Sequence, residues 1–276
     1  MSGGVEFFLI KEMISNSIIF LGSTKFSEQI LISLIENKCD IKAIFSIPEK
    51  FRISYSKEKV TNTNFADLSK LAKSFSIPFF LVDSEKGKRL IDFKSEIEKL
   101  SSKVIIAAGW YYMIPKQIRD IPENGAWGIH ASLLPNYAGG APLVWAMING
   151  EKETGVSLFK MEEGVDDGAI ILQEKISIDY DDTIKTLLEK ALISSKKILL
   201  SALNQKSVKY NPQDKSKIKI YPQRSPEDGE IDWSLDDEKI RNFVRAQTKP
   251  YPGAWTKINN KKVIVWDISI EELNNN

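Results

Sequence analysis

Residues 18–21, Ile-Ile-Phe-Leu, form a short apolar run that ends at Gly22, after which the pattern changes period. Phe26, Ile30, Leu31 and Leu34 recur at three- and four-residue spacing, the signature of a helix with one buried face. Residues 39–47 alternate as a second strand, 65–75 return to helical spacing, and 103–109 read as a third strand. Strands alternating with helices predict parallel β-α-β units covered on both faces, hence an α/β fold with a doubly wound, mostly parallel sheet. Ligands of such sheets sit beyond the carboxyl ends of the strands. Further on, residues 181–204 predict a long amphipathic helix with Asp181 or Asp182 as N-cap. Its apolar face carries Ile184, Leu187, Leu188, Ala191 and Leu192. A short helix at 236–246, a Pro-Gly turn and a hairpin across Asn259 and Asn260 predict a small C-terminal α+β subdomain. The expected organisation is a large domain over 1–205, a basic linker over 206–230 and the subdomain over 231–276, with fraying terminal asparagines.

Composition adds mainly exclusions. The 276 residues are 42% hydrophobic and 27% charged, which suits one large domain with an appendage. No apolar run reaches the roughly 18 residues that a membrane span needs, so no membrane partner is expected. The N-terminal stretch resembles a signal peptide only briefly. Glu6, Lys11 and Glu12 interrupt it and no small-residue cleavage site follows, so a cytoplasmic protein is expected. The single cysteine, Cys39, excludes an intramolecular disulfide and reads as a buried apolar residue. A net charge of +1 does not advertise a nucleic-acid partner. Residues 206–224, with six Lys/Arg against one Asp, are the local exception, either a solvated linker or a phosphate-facing edge. The first turn, Gly-Ser-Thr-Lys-Phe-Ser, lacks the dinucleotide-binding glycine pattern.

The chemistry concentrates around His130, the only histidine. Imidazole can give and accept a proton near physiological pH, although a lone histidine is also an ordinary core or surface residue. Three stretches accompany it: residues 107–115 with Trp110, Tyr111 and Tyr112; 128–135 with His130 itself; and 161–170 with Asp166. In an open α/β sheet all three could meet at one strand-end crevice. The aromatic trio fits either a core or a ligand wall, and its place just beyond a strand favours the wall. Glu162, Glu163, Asp166 and Asp167 fit an acidic surface loop. With no second histidine and no calcium-loop spacing, no metal is expected. Ser132 has no histidine partner to spare beyond His130, which argues against a serine hydrolase.

Residues 128–173 closely resemble the folate-dependent formyltransferases, which show an Asn-x-His-x-Ser-Leu-Leu-Pro turn, an Ala-Pro motif, a Thr-Gly-Val strand and an Asp-x-Gly loop. His130 and Asp166 are 36 residues apart, about the family separation, and the likeness extends through residues 224–233 and 244–256. The resemblance implies a Rossmann-like formyltransferase fold and transfer of a formyl group from N10-formyltetrahydrofolate to an amine. His130 would stabilise the developing negative oxygen or shuttle the amine proton, with Asp166 orienting its ring. The folate would lie against Tyr112, Met113 and Ile114, against Ser132, Leu133, Leu134 and Pro135, and against the loop of Glu162, Glu163, Gly164 and Val165.

The chain departs from the family in two places. Its first catalytic residue, an asparagine, is Gly128 here, and loss of one such donor costs about 10² to 10³ in turnover. Another donor such as Asn136, or a water, could take its place; alternatively the enzyme is slow, or the reaction is lost. Gly128 could equally serve a close approach in the fold. Where relatives carry arginines, this chain has Ala138 and Gly140. Two subfamilies fit, the methionyl-tRNA formyltransferases and the sugar N-formyltransferases. The C-terminal block resembles the formyltransferase domain of the lipid A arabinose-modification enzyme. Near-neutral charge and only about 45 residues after Glu230, too few for a basic barrel, point the same way. The expected acceptor is therefore a nucleotide-linked amino sugar, with charged tRNA as the alternative. A weak or inactive folate- or sugar-nucleotide-binding relative is a further alternative, and a homodimer is compatible with each.

Overall fold

The chain is described by a computed structural model covering residues 16–52 and 59–271. Glu6, Lys11, Glu12 and the terminal asparagines lie outside the described residues. In chain order the elements that place the site are β1 (Ser17–Leu21), α1 (Lys25–Glu36), β2 (Asp40–Ser46), α2 (Ser69–Ser74), β3 (Phe79–Leu81), α3 (Lys94–Lys99), β4 (Val104–Ala107), α4 (Lys116–Arg119), β5 (Ala126–His130), α5 (Pro142–Ile148), β6 (Glu153–Lys160), β7 (Ile170–Ser177) and α6 (Ile184–Leu203). The C-terminal subdomain adds α7 (Asp237–Arg245), β8 (Ala254–Ile258) and β9 (Lys261–Val265).

Seven strands form one sheet in the order β3-β2-β1-β4-β5-β6-β7. The first five run parallel; β6 is antiparallel to β5, and β7 to β6. The strand order reverses between β1 and β4, the switch point at which such sheets open a crevice. Alternate side chains serve two cores. Ile18, Phe20, Val104, Ile106, Trp127 and Leu158 pack under α1, α5 and α6. Ile19, Leu21, Phe45 and Ile105 face Phe93, Ile97 and Ile118 from α3, α4 and the turn before α3. A reciprocal cap starts α1, in which the Ser27 N–H donates to Thr24 Oγ1 and the Thr24 N–H to Ser27 Oγ. Ser27 Oγ also donates to the Ala108 carbonyl, tying the helix start to the end of β4.

Local differences from the sequence pattern have local causes. The helix expected over 65–75 shortens to α2, because Phe65 pairs with Thr24 and the Ala66 N–H donates to Ser23 O. The N-cap of α6 is Thr183 rather than Asp181 or Asp182. Asp182 is instead occupied by the Asp179 N–H, the Thr186 hydroxyl and Lys190. Asn259 and Asn260 adopt φ of +49° and +57°, the left-handed pair that a two-residue hairpin turn requires. The basic stretch lies against the main domain. Asn211 and Ile170 exchange backbone hydrogen bonds of 2.8 Å, and Ile220–Tyr221 pairs in parallel with Ala138–Gly139. In the subdomain, Ile231, Ile240, Val244 and Ala254 form a small core. Buried Arg245 docks it by donating to the Asp179 and Asp182 carbonyls at 2.9 Å.

Candidate active site

His130 ends β5, its side chain 10% exposed and on the same face as Gly128. Nε2 lies 2.7 Å from the Tyr137 carbonyl oxygen. A carbonyl only accepts, so Nε2 carries a hydrogen, which leaves Nδ1 as the position that gains or loses one. Nδ1 faces Asp166 Oδ2 at 3.4 Å, and the same oxygen accepts the Gly139 N–H at 2.8 Å. A proton arriving at Nδ1 therefore meets a carboxylate already fixed in place.

The loops holding this pair store backbone strain. Tyr137, Ala141 and Asp166 all have positive φ, at +55°, +48° and +51°. Such conformations cost about 1–3 kcal/mol each and cluster at functional sites. The loop of residues 107–115 leaves the carboxyl end of β4, and that of 130–141 leaves β5. The third behaves differently from the expected strand-end crevice. It leaves β6 beside Trp127, near the start of β5, and doubles back so that Asp166 reaches His130. Gly168 permits this return, since a Cβ there would overlap the Lys160 carbonyl.

Gly128 faces a filled space. A Cβ at this position would lie 2.8 and 2.9 Å from Phe159 Cε1 and Cζ and 3.2 Å from Met161 Cγ. Phe159 is buried among Leu134, Ala138, Met161, Ile170 and Ile218. The room that an asparagine side chain at this position would use thus holds an apolar ring. Asn136 is exposed, in a cleft with Tyr137, Lys219 and Tyr221, whereas the atoms nearest a Cβ at Gly128 belong to Phe159 and Met161.

The other expected contacts separate into supports and exposed groups. Ile114, Ser132 and Leu134 have buried side chains that shape their loops. The Ser132 hydroxyl donates to the Asn136 carbonyl at 2.6 Å, while Ser157 Oγ bridges the Ser132 carbonyl and the Leu134 N–H. Leu133 and Pro135 are half-buried, and Glu162, Glu163 and Gly164 are exposed. Met113 (69%) and Val165 (47%) expose apolar side chains from two neighbouring loops. Arg119 ties these loops by donating to the Ile114 and Glu162 carbonyls at 3.3 and 3.1 Å. Tyr112 packs edge-on to Phe51 and Trp110 and meets Ser84 through its hydroxyl, and burial pushes its phenol above the usual range. Tyr111 packs on Phe51, and Trp110 Nε1 is buried with no acceptor among the described residues. Sequence reading missed the Tyr137 carbonyl, the Gly139 N–H, Phe159 and Arg119. A β5–β6 pairing in register would have set Phe159 opposite Gly128; the others carry no sequence signal.

Residues 16–203 match the family model described as formyl transferase, and residues 224–276 match the formyl transferase C-terminal domain. A methionyl-tRNA formyltransferase of Caldanaerobacter subterraneus subsp. tengcongensis is 33% identical over 258 residues, covering 92% of this chain and 81% of that protein. A sugar N-formyltransferase from Shewanella sp. superposes with a TM-score of 0.67 at 17% identity, covering 94% of this chain and 99% of the other. WlaRD, a sugar 3N-formyltransferase solved in the presence of dTDP and 5-N-formyl-THF, gives a TM-score of 0.63 at 20% identity, covering 90% and 85%. These two likenesses establish a shared Rossmann-like fold. With both family models matched and the His130–Asp166 pair assembled, the chain belongs to the formyltransferase family, enzymes that transfer formyl groups.

Proposed function

We propose that the protein transfers the formyl group of N10-formyltetrahydrofolate to the amine of a nucleotide-linked amino sugar, using His130 and Asp166. The observation that carries the chemistry is the polarised imidazole, with Nε2 held by Tyr137 and Nδ1 facing Asp166. The donor fits the loops that Arg119 ties together. Met113 and Val165 offer exposed apolar surface for a flat ring, and the backbone of 162–166 offers polar groups for its edge. When bound, the folate supplies the formyl carbon. Nδ1 of His130 takes up the proton released by the attacking amine, and the charged ring so formed stabilises negative charge on the formyl oxygen; as the formyl C–N10 bond breaks, the ring returns that proton to N10, which leaves as tetrahydrofolate. Asp166 stabilises the ring charge and fixes its plane. Gly128 contributes no donor, so turnover is expected about 10² to 10³ below that of a site with the amide.

For the acceptor, a cleft of about 350 Å³ adjoins the His130 loop through Tyr137. It is lined by Tyr137 and Tyr221, stacked at 4.7 Å, with Lys219, Glu151, Glu153 and Thr154. Its size falls in the small-molecule range. The net charge of +1 gives little counterion-release drive for a tRNA. A second reading, formylation of charged tRNA, is favoured by the 33% identity to a methionyl-tRNA formyltransferase over 92% of the chain. A formylation screen of UDP-, dTDP- and GDP-linked amino sugars beside charged initiator tRNA separates them. Turnover of an amino sugar is expected. Turnover of the tRNA alone overturns the acceptor, and failure to bind a reduced folate at millimolar concentration overturns the donor.

A further inference from the structure

Residues 204–223 lie between the two matched family regions, and they touch both loops that frame the His130–Asp166 pair. Their Asn211 is anchored on Ile170, at the start of β7. From there Gln213 turns its amide under the loop carrying Asp166: Nε2 donates to the Asp166 and Gly168 carbonyls, each at 2.7 Å. Lys215 pairs with Asp167 at 2.8 Å. Tyr221 then pairs with Gly139, whose own N–H holds the Asp166 carboxylate, and accepts the Gly140 N–H at 2.8 Å. A Cβ at Gly140 would meet the backbone of Gln223 within 2.5 Å, so the strap lies flush where relatives are expected to carry an arginine.

Asp166 needs such support. Its φ of +51° is a left-handed conformation, less favourable than the ordinary regions for a residue with a side chain, and its oxygen must stay within reach of Nδ1. The amide of Gln213 satisfies one carbonyl at the strained residue itself and another two residues on. We infer that Gln213 is a positioning residue that holds the Asp166 loop in its catalytic conformation, acting on turnover through Asp166. This inference rests on the His130–Asp166 reading above.

The test compares kcat and folate KM for Gln213→Met, Asp166→Asn and the double variant. Gln213→Met keeps the side-chain length and removes both donors. The expected result is a fall in kcat of about tenfold to a hundredfold, the scale of a displacement near 1 Å, with folate KM changed less than threefold. In the Asp166→Asn background the same substitution should add less than a twofold loss, because a group acting through Asp166 has nothing left to position. A merely structural role would multiply the two losses, and that outcome overturns the inference. An unchanged kcat in Gln213→Met overturns it as well. Wild-type turnover in Asp166→Asn overturns the site reading and the inference together. Should Gln213→Met fail to fold, Gln213→Asn, which keeps a neutral amide but withdraws it by one methylene, is read by the same criteria.

Discussion

Replacing Gly128 by asparagine supplies the amide that the formyltransferase resemblance implies here, and the structure predicts that it will not raise turnover. The new Cβ would sit 2.8–2.9 Å from the far end of the Phe159 ring and 3.2 Å from Met161. That ring is only 3% exposed and enclosed on its remaining sides, so it cannot swing into solvent. Overpacking of this kind costs about 1–3 kcal/mol. At about 2–4 °C per kcal/mol for a domain of this size, the melting temperature should fall by about 2–12 °C. Turnover should fall or stay level. Phe159→Leu removes the two ring atoms that collide, at a cost of about 1.5 kcal/mol or more. Adding Gly128→Asn to Phe159→Leu should then raise turnover about tenfold or more over Phe159→Leu alone, part of what one oxyanion donor supplies. Thermal melts and steady-state turnover on the four proteins suffice. A Gly128→Asn protein with wild-type melting temperature and higher turnover would refute the packing argument.

Other outcomes follow from the same geometry. His130→Ala and Asp166→Asn should each remove most activity while the double variant loses little more, as expected of groups acting as a unit; multiplying losses in kcat contradict the pairing. Ser132→Ala should keep turnover within a few-fold and lose about 1 kcal/mol of stability, since its buried hydroxyl donates to Asn136 O; a folded but inactive variant argues for a chemical role. Burial alone would raise the Asp182 carboxyl, but Lys190, Thr186 and the Asp179 N–H outweigh it and hold the group below the usual carboxylate range. Its folded pKa is the lower one, so its stabilisation is full above the unfolded value near about 3.9 and is lost as pH falls through the folded value. Asp182→Asn should cost about 1–3 kcal/mol at pH 7 and flatten the acid limb of a melting-temperature profile; an unchanged acid limb counts against this.

The sheet and its helices were legible because their signals are local. The run before Gly22, the helical spacing of Ile30, Leu31 and Leu34, and the turn at Asn259 and Asn260 each depend on a few neighbouring residues. Helix ends were less so: Phe65 has an apolar helical phase, yet a bridge to Thr24 keeps it extended. The site was legible as far as residue types carry chemistry, which brought out His130 and Asp166. What stayed hidden is held by backbone atoms or by distant register. No sequence pattern announces that the Tyr137 carbonyl selects the imidazole tautomer. Nor does one announce that Phe159, paired across β5–β6, fills the space beside Gly128. The basic run of 206–224 reads as a solvated linker or a phosphate-facing edge because its charge dominates. Much of its structural work is done by the uncharged Asn211, Gln213 and Tyr221, beside the Lys215–Asp167 ion pair.

Acceptor-dependent release of tetrahydrofolate from N10-formyltetrahydrofolate, measured for wild type and His130→Ala with folate affinity determined in parallel, bears most directly on the catalytic account. Wild type should release one tetrahydrofolate for each amine formylated, and His130→Ala should be slower by about a hundredfold or more while binding folate as before. Turnover by His130→Ala at the wild-type rate would show that the imidazole does not carry the proton transfer.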